Sequence, residues 1–270
     1  MFVKFQYILN NRHSFLLSKK KTDDILSNCR FFFITGMGRS GTTFLVNLLN
    51  NNVPGTLVYH EVYPDFEALI DAYYDPDEAN NYFNYRRKKI IASRINQTNC
   101  QIYGEVNSLL RYHVDVLSKF NNVKILHLVR DGRLVVRSIM NRTAFTSDDE
   151  KITGKIKPKK DDPYYKVWPE MSRFEKVCWY WANTCSFLLN KNLPIIRFDD
   201  IIQSYEQFES QLLNPLQINF SYDLWQTQRH KKKNVNQKYT FPGWEYWNNW
   251  HKDRFIKICG DIMIKLNYKI

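Results

Sequence analysis

Residues 30–49 read Arg-Phe-Phe-Phe-Ile-Thr-Gly-Met-Gly-Arg-Ser-Gly-Thr-Thr-Phe-Leu-Val-Asn-Leu-Leu. No other stretch restricts the fold as much. Phe31 to Ile34 form a short apolar run, the pattern of a strand covered on both faces. Gly36, Gly38 and Gly41 follow, where the backbone must turn tightly and leave room for a close neighbour. Thr42 or Thr43 opens a helix that carries Phe44, Leu45, Leu48 and Leu49 on one side. A strand, a glycine loop and a helix N-terminus in that order gather N–H groups around an anion. The outline Gly36-x-x-x-x-Gly41-Thr42-Thr43 is that of a phosphate-binding loop, except that Thr42 stands where such a loop carries lysine. The cation here is Arg39, inside the loop.

The rest of the chain repeats the alternation. Strands are expected at Thr56–Tyr59, Cys100–Glu105, Val123–Val129 and Pro194–Phe198. Helices are expected at Pro64–Tyr74, Tyr82–Ile95, Leu109–Phe120, Leu134–Arg142, Met171–Asn190 and Trp244–Tyr268. Strands alternating with helices give right-handed crossovers, so the expected class is α/β, three-layered, with a central and mostly parallel sheet. Ligands of such sheets lie beyond the carboxyl ends of the strands. The glycine loop, His60-Glu61, Gly104-Glu105 and Arg130-Asp131 all fall at expected strand ends. Residues 30–270 read as one domain behind an N-terminal extension, 1–29. Thr143–Glu170 is polar and proline-containing and reads as a long surface loop able to act as a lid. Asp199-Asp200 is placed to cap a following helix. The run Arg86-Arg87-Lys88-Lys89 reads as a solvated helix face, and Trp181 as a core residue.

Composition bears on partners and compartment. The chain of 270 residues is 44% hydrophobic and 16% aromatic, enough for a large core, and its net charge of +12 favours an anionic ligand. Without interleaved aromatic and basic residues, nucleic acid is not an expected partner. Five scattered cysteines show no metal-ligand spacing, so free thiols and no metal are expected. The N-terminal patches Phe2-Val3 and Phe15-Leu16-Leu17 are too short for a membrane span or a signal core. A cytoplasmic protein is the expectation.

Two segments in register carry a family resemblance. Gly38-Arg39-Ser40-Gly41-Thr42-Thr43-Phe44 resembles the 5′-phosphosulfate loop of sulfotransferases, which use 3′-phosphoadenosine 5′-phosphosulfate (PAPS). Val129-Arg130-Asp131-Gly132-Arg133 through Ser138 resembles their 3′-phosphate motif, a strand-end arginine followed eight residues later by a serine. Ile195-Ile196-Arg197-Phe198-Asp199-Asp200 is similar to a later strand and turn of the family. The basic loop Gln226–Gly243, with Lys232 and Lys233, resembles its donor-covering end. His60-Glu61-Val62-Tyr63-Pro64 resembles the catalytic glutamate region of tyrosylprotein and glycan sulfotransferases.

The resemblance implies sulfuryl transfer from PAPS to a hydroxyl acceptor, with an acidic glycan or peptide suiting the basic surface. Gly38, Arg39, Ser40, Gly41, Thr42, Thr43, Arg130, Ser138, Lys232 and Lys233 would bind the donor. Arg39 would stabilise transferred charge, since an arginine does not readily give up its proton. Glu61 is the first choice of base, with Glu105 and His60 as alternatives. Relatives often carry a lysine and proline before the strand-end arginine, where this chain has Gly104-Glu105-Val106-Asn107-Ser108. A kinase or NTPase would instead require lysine after Gly41 and an acidic Mg²⁺ ligand at a strand end. A non-catalytic nucleotide-binding relative is the other alternative.

Overall fold

The computed structural model describes residues 14, 16–50, 52–62, 64–147, 149, 153–229 and 238–270. Five strands, β1 (Arg30–Gly36), β2 (Thr56–Tyr59), β3 (Ile102–Val106), β4 (Val123–Val129) and β5 (Ile195–Arg197), form one sheet in the order β2-β3-β1-β4-β5. Every pair is parallel. The apolar runs are apolar because both faces are covered. Phe31 and Phe33 enter one hydrophobic cluster and Phe32 and Ile34 the other. In β4, Ile125 and Val129 face the first cluster while Leu126 and Leu128 face the second. Leaving β1 the chain moves toward β2, whereas leaving β4 it moves toward β5. The loops after β1 and β4 therefore part in opposite directions at adjacent strands, which opens a crevice at the carboxyl edge.

The helices that matter for the site are α1 (Lys19–Ser27), α2 (Thr42–Asn50), α3 (Asp65–Tyr74), α4 (Pro76–Tyr82), α5 (Lys88–Thr98), α6 (Gly132–Met140), α7 (Arg173–Leu189) and α8 (Asn249–Lys265). Helix α1 packs beside α5, and Leu26 at its end is buried. Helix α7 opens on a capping box between Ser172 and Glu175. It buries Phe174, Cys178, Trp181, Cys185 and Leu188 along one stripe against α8. Trp181 is fully buried, and a side chain on Gly132 would meet its ring at 2.8 Å. All five cysteines are free thiols. No helix among the described residues is long and apolar enough to cross a membrane.

Several expectations shift. The helix expected over Tyr82–Ile95 is interrupted by a π-helical stretch, Phe83–Arg87. The added residue in that turn rotates Arg87 inward, so the charge run is not wholly a solvated face. Arg87 has no exposed surface; its Nε meets Asp65 Oδ1 at 3.0 Å and its Nη2 meets Glu105 Oε2 at 2.6 Å. The segment expected as one helix, Leu109–Phe120, is a 3₁₀ stretch, Ser108–His113, followed by a short helix, Val114–Leu117. Asp199 and Asp200 lie inside the turn Phe198–Ile201 rather than before it. The loop 143–170 is tied down and not free to act as a lid along its described length. Ile156 is fully buried, the Tyr73 hydroxyl donates to the Lys157 carbonyl at 2.7 Å, and Trp179 Nε1 donates to Asp162 at 2.9 Å. The Phe2-Val3 patch, Phe15 and much of the basic loop, including Lys232 and Lys233, lie outside the described residues.

Removing Arg87 alone strands two buried carboxylates. Arg87→Met is expected to cost about 3–5 kcal/mol in urea unfolding followed by tryptophan fluorescence. An unchanged midpoint would contradict the burial of this charge. Two histidines set the acid limit. Burial lowers His127 to about 3 and His113 to about 4, Arg87 and Arg111 adding to the effect at His113. Both groups bind protons more readily in the unfolded chain, so their contribution is complete above about pH 6.5. As pH falls below that, stability declines by up to about 1.4 kcal/mol per unit for each histidine, until the folded values are reached. His127→Phe should flatten that slope in a pH series of melting temperatures.

Candidate functional site

Strand β1 carries the chain to Gly36, where a Cβ would stand 2.1 Å from the Leu128 carbonyl oxygen of β4. Only glycine lets the two strands remain paired up to the loop. Arg39 then takes φ +77° and Gly41 φ +107°. At Gly41 any side chain would also strike the Phe198 ring at 2.3 Å. For arginine the left-handed conformation costs on the order of 1 kcal/mol or more, the kind of strain held at binding loops. Gly38 differs: a Cβ there would meet only the Ser108 hydroxyl, at 3.6 Å, so glycine keeps space open. Helix α2 begins at Thr42 and aims its first N–H groups into the loop. The Ser40 hydroxyl is buried beside them, without a hydrogen-bond partner among the described residues.

Residues distant in sequence converge here. Arg39 Nε donates to Ser138 Oγ at 3.1 Å, and Arg130 Nη1 reaches the Arg39 carbonyl at 3.4 Å. The loop after β1 and the loop and helix after β4 are thereby joined across 99 positions. His60 Nε2 lies 3.1 Å from Thr42 Oγ1, and Glu61 Oε1 accepts the Ser108 hydroxyl. Thr43 is half-buried in the first turn of α2. Glu105 is not among these groups. Its two oxygens each take Arg87 Nη2 at 2.6 Å, and they also accept Tyr103 and Asn107 in a closed, fully buried network.

Arg130 lies with its Nε 3.6 Å from Asp199 Oδ1 and its guanidinium 5.1 Å from the Phe198 ring centre. Asp131 is occupied elsewhere, capping α6 and pairing with Arg133 at 2.6 Å. Asp199 in turn accepts the Asp131 N–H at 3.0 Å and the Tyr268 hydroxyl at 3.1 Å. Arg142 is a residue that motif reading missed. It lies just past the end of α6, close enough that its charge acts on Arg39. Burial holds the Arg39 guanidinium below its ordinary value, Arg142 and Arg130 push it further down, and Glu61 pulls it up. No helical spacing singled it out, since α6 ends at Met140 and Arg142 lies in the turn beyond it. The returning end of the basic loop also reaches this place, with the Lys238 N–H donating to the Asn141 carbonyl at 2.9 Å and Arg137 Nε to the Phe241 carbonyl at 3.3 Å. Clustered cations, helix N–H groups and an open glycine position are thereby brought together at one place. Among the described residues no group of three or more His, Cys, Asp or Glu is placed to hold a metal ion.

No family model and no curated protein match the chain. Its fold is similar to that of sulfotransferase STF1 from Mycobacterium tuberculosis, with a TM-score of 0.52 and 12% identity, over 92% of this chain and 81% of the other. The architecture is thus a sulfotransferase-like α/β fold.

Gly41→Ala combines positive φ with a clash. It is expected to lower the melting temperature by the equivalent of about 1–3 kcal/mol and to abolish stabilisation by added inorganic pyrophosphate. Retention of that stabilisation would mean that the anion sits elsewhere.

Proposed function

We propose that this chain is a PAPS-dependent sulfotransferase acting on a hydroxyl acceptor. The observation that carries the reading is the bond between Arg39 and Ser138. It joins the glycine loop to the Arg130 motif, so two anion-binding elements stand side by side at one crevice. A donor with a phosphosulfate at one end and a 3′-phosphate at the other needs two such elements. The similarity to a sulfotransferase supports the same reading.

The residues present suit that donor. Gly38 to Thr43 would hold the phosphosulfate through backbone N–H groups and the Ser40 hydroxyl, which lacks a partner among the described residues. Arg130 and Ser138 would hold the 3′-phosphate, with Lys232 and Lys233 covering it. Arg142, near Arg39, adds a second positive charge to the loop. The donor supplies an activated sulfuryl group. Arg39 offsets charge that develops as the group leaves, by electrostatic attraction and hydrogen bonding rather than by giving up a proton. Glu61 takes the proton of the acceptor hydroxyl. His60 is the second choice, since its ring already engages Thr42. Glu105 is set aside because its oxygens are enclosed with Arg87. The net charge of +12 supports an acidic glycan or peptide as acceptor, and five free thiols support a reducing, cytoplasmic setting.

Labelled PAPS offered with separate panels of glycans, tyrosine peptides and phenols tests the reading. Glu61→Gln is expected to reduce turnover by about 10²–10⁴-fold while leaving binding of adenosine 3′,5′-bisphosphate intact. Arg39→Ala should lower kcat by about 10²–10³-fold. Undiminished transfer by Arg39→Ala, or Mg²⁺-dependent phosphoryl transfer from ATP in place of sulfuryl transfer, would sink the assignment.

A further inference from the structure

The segment Gly104–Ser108 brings no cation to the loop. Glu105 turns into the core and is neutralised by Arg87. Asn107 is fixed at every polar atom. Its amide nitrogen donates to Asp65 Oδ2 at 2.7 Å and to Glu105 Oε2 at 3.1 Å, and its Oδ1 accepts the Leu109 N–H at 3.0 Å. Its main-chain N–H donates to the Ile34 carbonyl at 2.9 Å, and its carbonyl accepts the Thr35 hydroxyl at 2.9 Å. The end of β3 is thus fastened to the end of β1 just before the glycine loop. The next residue is Ser108, 3% exposed, whose carbonyl accepts Arg111 Nη1 at 2.7 Å. Its hydroxyl donates to Glu61 Oε1 and borders the open space at Gly38.

We propose that Ser108 is the positioning residue for Glu61, held in place by the buried Asp65–Arg87–Glu105 network. This rests on Glu61 being the base. Glu61 follows a strand of only four residues, and a glutamate on such a loop has three rotatable bonds to order. The Ser108 hydroxyl removes that freedom. With Oε1 engaged by Ser108, Oε2 is the oxygen it leaves for the acceptor proton. A charge-assisted bond of this kind is stronger than one between neutral groups. In this segment the chain supplies a fixed hydroxyl that orients the base, where relatives often supply a lysine.

Steady-state kinetics on Ser108→Ala, Ser108→Thr, Glu61→Gln and the Ser108→Ala/Glu61→Gln pair tests this, using PAPS and whichever acceptor the unaltered protein sulfates. Ser108→Ala is expected to lower kcat about 10²-fold, as loss of reactive geometry does, with the KM for PAPS and the affinity for adenosine 3′,5′-bisphosphate within about twofold of the original. Ser108→Thr, which keeps the hydroxyl, should recover most of the loss. The double variant should be no slower than Glu61→Gln alone, since Ser108 acts only through that carboxylate. A Ser108→Ala protein with unchanged kcat, a loss confined to donor affinity, or a full additional loss in the double variant would each overturn the proposal alone. Absence of sulfuryl transfer by the unaltered protein with every acceptor would overturn the enzymatic reading, and this proposal with it.

Discussion

A single charge without solvent ties the sheet to the helices above it. Taking a guanidinium out of water costs several kcal/mol even after the protein relaxes. Arg87 meets that cost because two carboxylates, Asp65 at the start of α3 and Glu105 on β3, reach it from different elements. Burial by itself would draw its proton affinity down, but the two carboxylates raise it well above the ordinary value. Tyr82 donates to Asp65, and Tyr103 and Asn107 donate to Glu105, so few lone pairs are left idle. Such a network contributes little net stability compared with an apolar replacement of all its members. What it provides is geometry. Each polar group has one partner set, and a slip of β3 or α3 would break several bonds together.

That fixed geometry ends at a place where charges are left uneven. Arg39, Arg130 and Arg142 stand near one another at the carboxyl edge of β1 and β4; burial lowers Arg39, and the two neighbouring arginines lower it further. Asp199 and Glu61 answer part of this charge, at the two sides of the crevice. An arrangement of like charges costs stability in the absence of an anion and favours binding of one. It differs from the Arg87 network, in which one guanidinium lies between two carboxylates. The same residue type serves both ends because the surroundings differ: a closed interior in one case, a half-open crevice lined by helix N–H groups in the other.

The sheet could be read from sequence because its strands are buried on both faces, and the bounds of β4 were legible to the residue. The glycine loop was legible because backbone conformation, not side-chain packing, decides which residues it accepts. Arg87 was not legible. Four basic residues in a row look solvated until a π-helical turn rotates one of them inward, and no periodicity announces such a turn. Ser108 was hidden for a different reason. It opens a 3₁₀ segment that apolar spacing presents as an α-helix, and its partner Glu61 lies 47 residues away. Glu105 looked like a site residue because it stands at a strand end, where only side-chain direction separates a reacting carboxylate from a structural one.

Side-chain direction also governs the Arg130 pocket. The guanidinium rests between the Phe198 ring and Asp199, while Asp199 keeps two further donors, the Asp131 N–H and the Tyr268 hydroxyl. An anion that drew Arg130 away would therefore not leave Asp199 unpaired. The ion pair is long at 3.6 Å and both side chains are partly exposed, so the attraction to be given up is modest. Arg130 is thus held by Asp199 and Phe198 at small cost. Tyr268, in the segment after α8, joins that arrangement to β5 as well, since Arg197 lies 4.4 Å from its ring centre.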